Sequence, residues 1–89
     1  MTKYPANLLS GTNAAVGVAA AVLGASQHCL SITLIAPIAN TDDVFVGDSV
    51  AQPLPLAAGN VASFDVRDVD QFFVRSASGV QTIDYLMEV

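Results

Sequence analysis

The last ten residues, VQTIDYLMEV (80–89), place Ile83, Tyr85, Met87 and Val89 on one side and Thr82, Asp84 and Glu88 on the other. Successive side chains of a strand point to opposite faces, so this period of two is the pattern of a half-buried β-strand. HCLSITLIA repeats it, with Leu30, Ile32 and Leu34 on one face and Cys29, Ser31, Thr33 and Ile35 on the other. Pro37 ends that run or marks an edge. DVFVG is a short strand closed by Gly47-Asp48. PLPLAAGN is extended and turns at Gly59-Asn60. VASFDVRD alternates, with Phe64 and Val66 on one face; QFFVRSA follows DVD, and Gly79 ends the next turn. No segment after residue 25 has a helical period.

Residues 14–23 read two ways. Alanine favours helix. Against it, Val16, Val18 and Val22, with Ala20 between them, keep the strand period, and Gly17 costs a helix roughly 1 kcal/mol. The strand reading puts Ala15, Gly17, Ala19 and Ala21 on one face, where another backbone could approach closely. The sum is about seven short strands, separated by Gly, Asn and Asp turns at roughly ten-residue spacing. That predicts an all-β chain: a small antiparallel β-sandwich or barrel.

The residues before it, MTKYPANLLSGT, read as an extended N-terminal arm, because Pro5 and Ser10-Gly11 break any regular pattern. The expected organisation is an arm over 1–13 and one sandwich domain over 14–89. Leu8 and Leu9 are poor choices for a free tail, so the arm is expected to lie on a neighbouring chain or along the domain's own edge.

Composition points the same way. At 89 residues the chain holds one core, which buries only roughly 60–65 % of the unfolded surface. Yet 53 % of residues are apolar and 12 % are charged, against about 25 % charged in an average soluble domain. The surplus implies cover by a partner or by copies of the chain, with Leu8, Leu9, Val16, Val18 and Val22 as the expected interface. The net charge of −5 sets eight acids against Lys3, Arg67 and Arg75. No basic stripe serves nucleic acid, and an anionic membrane is excluded on the same ground.

Nothing in the sequence assembles a catalytic constellation. Gly47-Asp48-Ser49 lacks the second glycine of a nucleophile elbow, since Ala51 stands there, and no helix follows. It reads as a turn in which Asp48 bonds backbone two residues on and Gly47 takes positive φ. Asp42, Asp43, Asp65, Asp68 and Asp70 match no calcium loop, and Arg67 competes within DVRDVD. His28 and Cys29 are adjacent and face apart on a strand, which does not make a zinc site. Cys29 is alone, so there is no internal disulfide, and it reads as a small buried hydrophobe. QPLPL reads as an edge strand or connecting loop more than as a polyproline ligand. No enzyme activity, cofactor or metal is expected. NAAVGVAAAVLGAS is apolar enough for a signal core, but only Lys3 is positive and Pro5, Asn7, Ser10 and Gly11 intervene; the expectation is a soluble, unprocessed chain.

Over residues 40–89 the succession is N-T-x-D-V-F-V-G, P-L-x-x-G, an alternating strand ending in D-V-D, F-V-x-S-x-x-G and a closing D-Y-L. This resembles a small β-sandwich domain common in virion proteins of tailed bacteriophages. The resemblance implies that Asn40 and Gly47 bracket one strand, Leu56 and Gly59 build a corner, and Phe73 and Tyr85 are core or interface aromatics. Pro55 stands earlier than the family's usual Pro-Gly pair, and residues 1–25 follow no pattern of the family. The function implied is that of a head decoration or cement protein on the capsid surface, binding the major capsid protein or another virion protein. The resemblance and capsid geometry together imply a homotrimer. Alternatives are a tail, neck or fibre-base component with the same sandwich, and a carbohydrate-binding module.

Overall fold

The computed structural model describes residues 8–89. Eight strands and one short 3-10 turn follow in the order β1 (Leu8–Val16), β2 (Ala21–Val22), β3 (Ser31–Ile35), β4 (Val44–Gly47), β5 (Leu54–Leu56), β6 (Val61–Phe64), the 3-10 turn Val69–Gln71, β7 (Phe73–Ser76) and β8 (Gln81–Glu88). They form two four-stranded sheets, β1-β8-β3-β6 and β2-β7-β4-β5, all pairs antiparallel. The pairing has a simple logic. β4 meets β5, β3 meets β6, β2 meets β7 and β1 meets β8, so the chain is one long hairpin doubled back at residues 48–53. Rolling that hairpin brings β8 against β3 and β7 against β4, which closes each sheet. This is the two-Greek-key jelly roll, a sandwich and not a barrel.

Alternation sets the core. Ile32 and Leu34 of β3, Ile83 and Met87 of β8, Val44 and Val46 of β4, Leu56 of β5 and Val74 of β7 all point between the sheets and are buried. Leu23, Cys29, Val69 and Phe72 close the ends from the connections, and the Phe64 and Phe72 rings meet at 5.2 Å with a tilt of 57°, a favoured aromatic geometry.

The first quarter of the chain departs from expectation. Residues 8–13 of the expected arm take one of its two expected placements, the domain's own edge, but as a strand paired along β8; residues 1–7 of that arm lie outside the described residues. The expected boundary at 13/14 therefore falls inside β1. Residues 14–23 are not one strand either. β1 ends at Val16, the chain bends through residues 17–20, and only Ala21–Val22 pair again, with β7. The bend splits the valines: Val16 is buried, while Val18 and Val22 are exposed. This accounts for eight strands where seven were expected.

Two smaller differences have local causes. Leu30, expected inward, is exposed. The chain bends there, so the alternation breaks between buried Cys29 and buried Ile32. Gly47 does not take positive φ; only Gly59 (87°) and Gly79 (61°) do. Gly47 is needed for closeness, since a Cβ there would sit 2.0 Å from the Ala51 carbonyl oxygen.

The structure also explains Tyr85. Its register partner across the β1–β8 pair is Gly11, and its ring fills the space that a Cβ on Gly11 would need, with Cζ 2.4 Å away. On its other side a Cβ at Gly24 would meet the hydroxyl at 2.5 Å. The aromatic therefore lies in a trough of two glycines. Gly17, expected to permit close approach, has open space around it.

Candidate functional site

The acidic turns are structural devices. Asp48 Oδ1 accepts from the amides of Val50 (2.9 Å) and Ala51 (3.0 Å), and those two bonds, Ala51 first, hold its carboxyl below the usual carboxylate range. Asp42 is held low by the Ser78 hydroxyl at 2.6 Å and then by the Asp43 amide at 2.8 Å. Asp68 caps the 3-10 turn. Its carboxylate accepts from the Asp70 and Gln27 amides and the Ser26 hydroxyl, while Gln71 Oε1 accepts from the Arg67 and Asp68 amides. These bonds, the Asp70 amide first, lower Asp68. Asp70 moves the opposite way, raised by its partly shielded position and by the Asp68 charge beside it.

Ser49 is exposed in its turn and His28 pairs in an isolated bridge with Asp68. The Cys29 thiol is fully buried, and burial first, then the Asp68 charge, pushes its pKa up, the opposite of what a reactive thiolate needs. Among the described residues, no three His, Cys, Asp or Glu side chains are grouped so as to hold a metal ion, and no pocket is found.

What stands out is surface. The outward positions of β8, Asp84, Leu86 and Glu88, lie beside Thr12, Thr33 and Ser31 of the neighbouring strands, in that order. Thr12 Oγ1 donates to Asp84 at 2.8 Å, Ser31 Oγ to Glu88 at 3.4 Å, and Thr33 bonds Ser63 at 3.0 Å. The first sheet's outer face thus mixes hydroxyls and two carboxylates with exposed Leu8, Leu86 and Val61.

The second sheet differs in having no acidic residue on its strands. Its buried row is Val44, Val46 and Val74, so Phe45, Phe73 and Arg75 point outward. Pairing sets Val22 beside Phe73 in one row, and Arg75, Phe45 and Pro55 together in the next. The Arg75 guanidinium sits over the Phe45 ring at 4.4 Å, a cation–π contact. No strand of this sheet carries a carboxylate: of the eight, two are on the first sheet and six are in the connections.

Of the expected interface residues, Val22 belongs to this face. Leu8 and Leu9 stand exposed at the start of β1 and Val18 in the bend after it, while Val16 is spent in the chain's own core and is not available to a partner. Phe45 and Arg75 were not singled out by the sequence reading. Their signal was there: VFV and FFV are apolar at successive positions, where a half-solvated strand alternates.

No protein-family model, curated protein or solved structure matches the chain.

Proposed function

We propose that this chain is a structural protein of a tailed-phage virion, a head decoration or cement protein that works by binding and not by catalysis. The observation that carries the reading is the outer face of the second sheet. On a chain of net charge −5, the strands of that face carry no carboxylate and present Val22, Phe45, Phe73 and Pro55 around a single cation. Apolar area leaving water is worth about 25 cal/mol per Å² before ordering costs, and Arg75 would select a surface bearing a carboxylate.

Four side chains fall short of a standard interface, about 800 Å² per partner. Attachment therefore gains from several linked copies binding together, which suits a repeating shell. The resemblance over residues 40–89 supports the virion setting. The jelly roll is an architecture of capsid and lectin domains alike, so the fold supports the reading only as analogy.

The test is co-sedimentation with expanded heads assembled without this chain. Wild type should pellet at a fixed stoichiometry, and Phe45→Ser/Phe73→Ser should not. A tail, neck or fibre-base role is the second reading, and labelling on whole particles separates it from the head. A glycan array tests the carbohydrate reading, which the partly exposed Phe45 and Phe73 make concrete.

A further inference from the structure

A sheet edge offers unpaired N–H and C=O groups to any passing strand, and proteins guard such edges with shortness, proline or charge. Three of the four edges here are guarded. β2 is two residues long. β5 is three residues long and carries Pro55 at its centre. β6 is four residues long and runs into Asp65. β1 is different. LLSGTNAAV has nine residues, no charge and no proline, and among the described residues it pairs on one side only, with β8. From Leu8 to Asn13 its register is regular, and the irregularity comes only between Asn13 and Val16. Leu8 is 59 % exposed and Leu9 41 % exposed at its start.

From this contrast we infer that β1 is the self-association site: two copies pair β1 to β1, antiparallel, about a two-fold axis perpendicular to the sheet. Each first sheet of four strands then becomes half of a continuous sheet of eight. Such a contact is isologous, so the segment must be complementary to itself. β1 meets that demand. A perpendicular two-fold brings each residue against one of its own face, so Leu8, Ser10 and Thr12 meet their counterparts outside, and Leu9 and Gly11 meet theirs inside. No like charges oppose one another.

The molecule's acidity does not prevent the contact. The carboxylates nearest the seam are Asp84 and Glu88, on β8. Across the pair, β8 and its mate are three strand spacings apart, about 14 Å. That exceeds the screening length of about 8–10 Å at ordinary ionic strength. A second copy is therefore an occupant this edge accepts, and one that is present wherever the chain is made. The inference does not rest on the virion reading, and it puts a two-fold where the resemblance implies a three-fold. It also leaves the outer face of the second sheet free, so the dimer would present two such faces.

The test uses the full chain in native mass spectrometry and sedimentation velocity over a dilution series. The expected species has twice the 9.2 kDa chain mass. Ser10→Lys/Thr12→Lys, both at exposed positions, puts like charges across the seam whether the two-fold passes at Ser10 or at Gly11, and should weaken self-association at least about tenfold. Val61→Lys, on the β6 edge, should leave it unchanged. Hydrogen exchange on wild type gives an arm that needs no variant: amides within 8–13 should slow as concentration rises, and those of β5 and β6 should not. A monomer at all concentrations, a trimer, a dimer that survives the double lysine change, or concentration-dependent protection at β6 in place of β1 would each overturn the inference.

Discussion

Gly11→Ala is a small change with a large expected consequence. In a strand it should help by itself, because alanine loses less backbone freedom than glycine, a gain of about 0.5–1 kcal/mol. Here the new methyl would lie 2.4 Å from Tyr85 Cζ, 2.5 Å from Cε2 and 2.7 Å from the hydroxyl oxygen. Carbon atoms rest at about 3.5–4.0 Å, so the overlap is at least about 1 Å on several atoms. The ring cannot simply swing aside, since its hydroxyl already occupies the space beside Gly24, with Val69 nearby. Overpacking of this kind costs typically about 1–3 kcal/mol. The net loss is about 1 kcal/mol, or roughly 4–8 °C in Tm for a chain this size. The assay is thermal and urea unfolding of wild type, Gly11→Ala, Tyr85→Leu and the double variant. Leucine keeps apolar bulk but ends short of Gly11, so in its presence the alanine should recover its intrinsic gain, and the cycle should show a coupling of about 1–3 kcal/mol. Gly11→Ala as stable as wild type, or equally harmful with and without Tyr85, would refute the trough.

Other outcomes follow from the turns and faces. Asp42, Asp48 and Asp68 have depressed carboxyls, so their contribution is fully present above the unfolded value of about 3.9 and is lost as pH falls through their lower folded values. Acid titration followed by circular dichroism should show stability falling below about pH 4, less steeply in Asp68→Asn, which should also have a lower Tm at neutral pH. Asp70 is raised by its partial shielding from water and then by the Asp68 charge: the charged form is disfavoured, and stability is lost as pH rises through its folded value. Asp70→Asn should therefore raise Tm at pH 7, with the advantage vanishing in acid. Removing residues 1–12 should destabilise the fold, because residues 8–12 are paired along β8; an unchanged Tm would mean that β1 contributes nothing to the sheet.

Much of the fold was legible because alternation carries it. β8 and the body of β3 follow from their period of two, β4 follows from a short apolar run closed by Gly47-Asp48, and Gly59 and Gly79 mark turns that need positive φ. The pairing was not legible. Which strand meets which depends on contacts far apart in sequence, such as Asn40 donating to the Thr82 carbonyl at 2.7 Å and accepting from its amide at 2.9 Å. The first 25 residues misled for a different reason: alanine and glycine make weak patterns, so neither the break at residues 17–20 nor the pairing of 8–13 could be read locally. The proposed binding face was half visible. Phe73 was marked as a core or interface aromatic, but Phe45 becomes meaningful only once Val44 and Val46 are seen to face the other way and Arg75 is seen to cover its ring.

The central claim is that the outer face of the second sheet is where this molecule binds. Quantitative co-sedimentation with expanded phage heads, comparing wild type with a folded Phe45→Ser/Phe73→Ser variant, addresses it most directly. The account predicts saturable attachment of wild type and loss of attachment in the variant, with circular dichroism unchanged. Equal pelleting of both proteins, or none by wild type, would contradict it.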